Sequence, residues 1–192
     1  MTKPKLILAS ASPRRLSILA DAGIVPAKIL PASINETPHR RELPRDLAQR
    51  LALEKLRAIQ KLEPETYILS ADTVVAVGRR ILPKAESPEE VRQCWELMSG
   101  RRHHVYTSVV VCGITGKTFQ GTVDSVVIFR RVSREEIEDY IKCGEGIGKA
   151  GGYGIQGCAA MFIRFMSGSY TNIVGLPMFE TAQLLRRCGY LT

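Results

Sequence analysis

The side chains of this chain that suit proton transfer and anion binding lie in separate short stretches. They are Ser10, Arg14 and Arg15 in LILASASPRR, Glu36 in INETPHR, Lys55 in LALEKLRA, Asp72 and Thr73 in SADTVV, Lys84 in ILPKAES, and Gln156 in GKAGGYGIQG. In the first stretch an apolar run gives way to three small residues, a proline and two adjacent arginines. If KLILA is a strand and Pro13 starts a helix, Ser10, Ala11 and Ser12 form the turn between them, with Ser12 as N-cap. Unpaired backbone N–H groups then point out of the turn and favour an anion. Small side chains let a phosphate come close, and the arginines add bidentate hydrogen bonds. Two cations at a helix N-terminus oppose the macrodipole, a conflict that a bound anion removes. An ordinary capped helix with two solvated arginines explains the stretch equally well.

Asp72 follows the apolar YILSA at the end of an expected strand, where a carboxylate in an α/β protein commonly faces the binding crevice. No helix follows, because TVVAV continues as strand, so a helix-cap role is disfavoured. Taken singly, Glu36, Lys55 and Lys84 read as solvated residues. The five glycines of GKAGGYGIQG suit backbone packed against a ligand or a tight chain crossing. Their spacing is neither that of a phosphate-binding Walker loop nor that of a dinucleotide fingerprint.

These residues need elements to position them, and the periodicity predicts an α/β chain without repeats or linkers. PKLILAS reads as a buried strand and Pro13 to Ala22 as a helix stopped by Gly23. LPRDLAQRLALEKLRAIQKL reads as a long helix placing Lys55 one turn after Leu51. YILSADTVVAVGRRIL reads as two strands joined at Gly78. Ser87, Pro88 and Glu90 form a capping box for a helix to about Met98, and Ser133 and Glu136 repeat the device. HVYTSVVVCGITGKTFQGTVDSVVIF reads as a hairpin turning at Thr115 and Gly116. The last third reads as a Gly-rich loop, a strand, a second loop, and a helix opened by Pro177 and ended at Gly189.

Composition narrows the function classes. The 192 residues, 45% of them hydrophobic, suffice for one domain or two lobes sharing a cleft. No apolar run approaches the roughly 20 residues of a membrane span, and no signal-peptide cleavage region is expected, which places the chain in the cytosol. The five cysteines, with no C-x-x-C pair, predict reduced core residues rather than a zinc site or disulfides. The adjacent His103 and His104 would point to opposite faces of a strand, which argues against a histidine metal site. The net charge of +8 calls for an anionic partner. With 6% aromatic residues and a single tryptophan, the stacking platform of a nucleic-acid-binding domain is missing.

LILASASPRR, LALEKLRA, SADTVV, KAGGYGIQG and GSYTNIVGLPMFET, in this order, resemble the Maf family of nucleoside triphosphate pyrophosphatases. The resemblance covers nearly the whole chain, residues 1–192 as a single Maf-like domain. It implies an α/β fold like that of the inosine triphosphatases, with a mixed twisted sheet, flanking helices and two lobes around a deep nucleotide-binding cleft. It also implies a divalent cation, Mg²⁺ or Mn²⁺, in many members a homodimer, and hydrolysis of a nucleoside triphosphate to monophosphate and pyrophosphate. By position, Ser10, Arg14 and Arg15 match the family's phosphate-gripping motif, while Glu36, Lys55, Asp72 and Lys84 match its cleft residues. Asp72 matches the proposed proton acceptor. Arg14, Thr73 and Gln156 match the positions that mark the branch acting on dTTP and UTP.

The residue types fit that chemistry. Attack of water on the α-phosphorus needs a positioned water, charge neutralisation and a stabilised leaving pyrophosphate. Asp72 is expected as general base or metal ligand, Glu36 as the second metal contact, and Arg14, Arg15, Lys55 and Lys84 as phosphate ligands. The chain departs from the family pattern at Pro83 and Ala85 around Lys84, where an acidic group is missing, and at Gly148, where an aspartate is common. These departures extend the expected substrates to modified pyrimidine nucleotides. The resemblance also admits a division regulator that keeps the cleft as a nucleotide sensor.

Overall fold

The LIL run forms β1 (Leu6–Leu8), buried along its whole length, and Pro13 with its preset φ opens α1 (Pro13–Asp21). The computed structural model describes residues 5–192, so Pro4 of the expected first strand lies outside the described residues. The chain continues through β2 (Lys28–Ile29), α2 (Pro44–Gln60), β3 (Tyr67–Val77), β4 (Arg80–Leu82) and β5 (Lys84–Ala85). Then follow α3 (Pro88–Met98), β6 (Arg102–Cys112), β7 (Thr118–Phe129), α4 (Arg134–Lys142), β8 (Lys149–Ala150), a 3₁₀ turn at Cys158–Phe162, β9 (Ile163–Ser167), α5 (Tyr170–Val174) and α6 (Met178–Arg187).

The main sheet runs β2-β1-β3-β6-β7-β9, with β4 paired to the far end of β3. β1 is parallel to β2 and β3, and the other pairs are antiparallel, so the sheet is mixed. The period-2 alternation of β3 divides the core. Leu69, Ala71 and Val75 join one large cluster with α1, α3, α4 and α6. Ile68 and Val74 face the other way, against the apolar stripe of α2. The molecule is therefore layered, with α2 on one face of the sheet and most other helices on the opposite one.

One feature of the pairing opens the site. β1 pairs only with Tyr67–Leu69 of β3, and β4 only with Val75–Val77. Between them β3 is paired on one edge alone, to β6, where Asp72 faces Ser108 and Thr73 faces Thr107 across the ladder. The chain leaving β1 turns into α1 beside this gap, which places the helix N-terminus next to unpaired strand edge, as crevices form at the strand ends of α/β sheets.

Several expectations are corrected. Ser12 stands at the N-cap of α1, but its hydroxyl makes no cap bond. At α3 the Ser87 hydroxyl accepts from the Glu90 N–H, while the Glu90 carboxylate takes the N–H of Glu86 instead; only Ser133 and Glu136 complete the reciprocal box. The two-residue strands β2, β5 and β8 are too short to show an alternation. The second loop contains α5, a helix too short to stand on propensity, held by the Ser169 cap and by burial of Asn172, Ile173 and Val174. Cys94 and Cys112 are core residues, whereas Cys143 and Cys158 are exposed and Cys188 is partly so. His103 is buried and His104 faces outward to Asp124, as opposite sides of β6 require. Among the described residues no helix is long and apolar enough to cross a membrane.

Candidate active site

The gap in β3 opens into a cavity of about 800 Å³, and every residue singled out above lines it: Ser10, Arg14, Arg15, Glu36, Lys55, Asp72, Thr73, Lys84 and Gln156. Their settings differ sharply.

The Ser12 hydroxyl does not cap α1, so the first-turn N–H groups of Arg14 and Arg15 have no side-chain acceptor there, and both residues line the cavity. The Ser10 hydroxyl instead accepts from the Ser12 N–H at 3.2 Å and from Arg15 Nη1 at 2.8 Å. Arg15 is buried. Its Nε donates to the Gly175 carbonyl at 2.8 Å and its Nη2 to Thr73 Oγ1 at 3.1 Å. Thr73 Oγ1 is also 3.0 Å from Thr107 Oγ1, whose hydroxyl donates to the Asn172 carbonyl. Arg15 therefore ties α1, β3 and the VGLP turn together rather than waving in solvent. The turn depends on glycine: Gly175 has φ of +128°, a backbone region that side chains disfavour. Arg14, by contrast, makes no hydrogen bond or ion pair among the described residues and stands half-buried at the helix N-terminus. Burial lowers the pKa of both guanidiniums, most directly by desolvation.

Asp72 points to the α2 face, where Lys55 meets it. Lys55 Nζ lies 2.6 Å from Asp72 Oδ1 and 2.6 Å from Glu36 Oε1, so one ammonium bridges two carboxylates. Asp72 is buried. Desolvation pushes its pKa above the usual carboxylate range, opposed by the charges of Lys55 and Arg15. A carboxyl held in that balance binds a proton more readily than a solvated aspartate does. Among the described residues no third acidic, histidine or cysteine ligand converges on these two carboxylates. A hard cation there would draw its remaining ligands from phosphate oxygens and water, the usual pattern for Mg²⁺.

The facing wall is built differently. β5 pairs with β8, Lys84 opposite Ala150 and Ala85 opposite Lys149, which joins the Lys84 turn to the Gly-rich loop. The Gly148 N–H donates to the Ala85 carbonyl at 2.7 Å and the Gly151 N–H to the Pro83 carbonyl at 2.9 Å. Trp95 Nε1 anchors the loop through the Gly152 carbonyl at 2.9 Å. The glycines serve a tight crossing here: a Cβ at Gly151, where φ is +69°, would lie 2.9 Å from Val75 Cγ1. Lys84 and Gln156 are exposed at the rim. The wall does carry an acid, Glu86, which lines the cavity two residues beyond Lys84.

The sequence that builds this arrangement has counterparts in known proteins. The family described as Maf-like protein matches residues 5–188. The chain belongs to the Maf family. Three proteins named dTTP/UTP pyrophosphatase are similar to this Maf chain along nearly all of it. That of Granulibacter bethesdensis is 54% identical, over 96% of this chain and 93% of its own. That of Chelativorans sp. is 52% identical over 97% and 92%, and that of Caulobacter vibrioides 51% over 97% of each.

Two groups that position the Maf cleft were not singled out in the sequence. Thr107 and the Gly175 carbonyl orient Thr73 and Arg15; only the glycine in VGLP hinted at them. Arg50 and Glu42 hold the loop bearing Glu36. Arg50 Nε donates to Glu42 Oε1 at 2.7 Å and its Nη2 to the Thr37 carbonyl at 3.1 Å, while the His39 N–H donates to Glu42 Oε2 at 2.8 Å. The hydrogen bond from Arg50 holds the Glu42 pKa down to about 2. An i, i+8 charge pair across a loop-to-helix boundary has no sequence signature.

Proposed function

We propose that this Maf chain is a cytosolic nucleoside triphosphate pyrophosphatase that hydrolyses dTTP and UTP, with modified pyrimidine triphosphates as further substrates. The names of its relatives support the substrate class. The observation that carries the reading is the juxtaposition, in one cavity, of buried Asp72 on Lys55 with the uncapped N-terminus of α1 beside Arg14.

In this reading the triphosphate lies with its oxygens on the first-turn N–H groups of α1, Arg14 and, from the facing wall, Lys84. Asp72 accepts a proton from water as the water oxygen bonds to the α-phosphorus. The bond from that phosphorus to the bridging oxygen breaks, and pyrophosphate leaves with the electron pair, its charge balanced by the arginine and lysine side chains. Lys55 keeps Asp72 oriented and offsets the cost of its buried charge. Asp72 and Glu36 are the oxygen donors that would hold a Mg²⁺ or Mn²⁺ ion, which when bound neutralises phosphate charge as a Lewis acid. Gln156, with a donor and an acceptor on one amide, reads the pyrimidine edge.

The test is pyrophosphate release from dTTP, UTP, CTP, modified pyrimidine triphosphates and 7-methyl-GTP, with Mg²⁺ or Mn²⁺, comparing wild type with Asp72→Asn. Release from dTTP and UTP that the substitution abolishes is the expected result. Nucleotide binding with no release from any of them would replace the enzyme by a nucleotide sensor.

A further inference from the structure

Behind the Gly-rich wall, outside the cavity described above, two of the exposed cysteines meet. Cys143 follows α4, Cys158 opens the 3₁₀ turn just after Gln156, and Glu145 lies between them in space. One ligand atom of each, two sulfurs and a carboxylate oxygen, lie within 4.8 Å of one another. A tetrahedral zinc with sulfur at about 2.3 Å and oxygen at about 2.1 Å separates its donors by about 3.6 Å, so small side-chain adjustments bring all three into range.

A second observation points to a cation. Glu145 Oε2 is buried and has no hydrogen-bond partner, a costly state for a carboxylate oxygen. The loop closes directly over this carboxylate: a Cβ at Gly154 would lie 2.8 Å from Glu145 Oε1, and one at Gly157 would collide with the carboxylate outright. Glycine at both positions keeps space at the carboxylate while bringing Cys158 alongside.

We propose that Cys143, Glu145 and Cys158 bind a borderline-soft divalent metal ion of the zinc type, which clamps the loop carrying Lys149 and Gln156 to the end of α4. Binding releases the two thiol protons, and water fills the fourth position. Thiolates select against Mg²⁺, so this site is chemically separate from the carboxylates of the cleft. The clamp bears on the nucleotide wall because Lys149, which also donates to the Glu145 carbonyl, and Gln156 both line the cavity.

The experiment titrates the reduced full chain with Co²⁺ in excess Mg²⁺ and reads the thiolate-to-cobalt charge-transfer band, followed by displacement with Zn²⁺. Wild type should show the band saturating at one ion per chain. Cys143→Ser and Cys158→Ser should each abolish it, and Glu145→Gln, which removes a single oxygen ligand, should weaken binding with the band retained. Zn²⁺ should slow amide exchange across residues 145–158 in wild type and not in the serine variants. Absence of a thiolate band in reduced wild type would overturn the proposal, as would a band surviving in the Cys143→Ser, Cys158→Ser double variant. A Cys143–Cys158 disulfide that forms readily in a chain failing to bind cobalt after reduction would overturn it too, and exchange unaffected by Zn²⁺ would remove the clamp. None of these readouts uses turnover, so they stand apart from the pyrophosphatase assay.

Discussion

The two walls of the cleft solve opposite problems. On the wall made by α1, α2 and β3, Arg15 and Asp72 are buried and pinned by long-range bonds: Arg15 to Gly175 and Thr73, Asp72 to Lys55. On the wall made by β5, β8 and the Gly-rich loop, Lys84 and Gln156 stand at an exposed rim on a two-residue strand pair. Proton transfer tolerates little misplacement, and in the proposed function its groups sit where moving them would break packing. In the proposed function this exposed rim is where Gln156 meets the base. The difference assigns the larger mutational effects to the first wall.

The largest effect is expected at Asp72. Asp72→Asn removes the proposed proton acceptor and should lower the rate of pyrophosphate release by about 10²- to 10⁴-fold, with the far-ultraviolet circular dichroism unchanged. An unchanged rate would transfer the chemistry to another group. The same residue sets a pH signature. Burial holds the pKa of Asp72 above 3.8 in the folded chain, so activity should rise with pH through that raised value. Stability runs the other way. The folded state binds this proton more tightly than the unfolded chain, so the contribution is fully present below the ordinary aspartate range and is lost as pH rises through the folded pKa. Thermal melts of Asp72→Asn across that window should lack this decline, and a wild-type decline that persists in the variant would exclude Asp72 as its source.

Arg15 and Arg14, adjacent in sequence, sharpen the contrast next. Arg15→Ala leaves the Gly175 carbonyl without its 2.8 Å donor and takes one partner each from the Ser10 and Thr73 hydroxyls, and should cost about 2–4 kcal/mol by denaturant midpoint as well as activity. Arg14→Ala leaves no partner behind, so stability should hold within about 0.5 kcal/mol while KM for the triphosphate rises. Equal destabilisation by the two substitutions would refute their different roles.

That split was not legible in SPRR, since neither side chain's direction follows from its position in the first turn. The sequence did disclose what local chemistry controls: the helix opened at Pro13, the hairpin at Gly116, the opposite faces of His103 and His104. It disclosed the residues of the cavity through the motifs, not through any one of them. What escaped was made by long-range contacts. α5 exists through burial of Ile173 and Val174, β5 and β8 exist only as each other's partner, and Cys143 and Cys158 read as core residues because nothing local shows that a loop returns one beside the other.

The smallest expected effect lies on the rim. Gln156 is exposed and makes no side-chain hydrogen bond among the described residues, so its substitution strands nothing inside the fold. Gln156→Ala should leave the melting temperature unchanged and retain pyrophosphate release. Its amide contributes at most about one or two hydrogen bonds to a base, each with a net worth of about 0.5–1.5 kcal/mol. The preference for dTTP and UTP over CTP should therefore fall by about tenfold, measured as a ratio of kcat/KM values so that changes common to all substrates cancel. If that ratio held while the rates dropped together, Gln156 would be supporting the loop rather than reading the base, and recognition would have to be sought on the first wall.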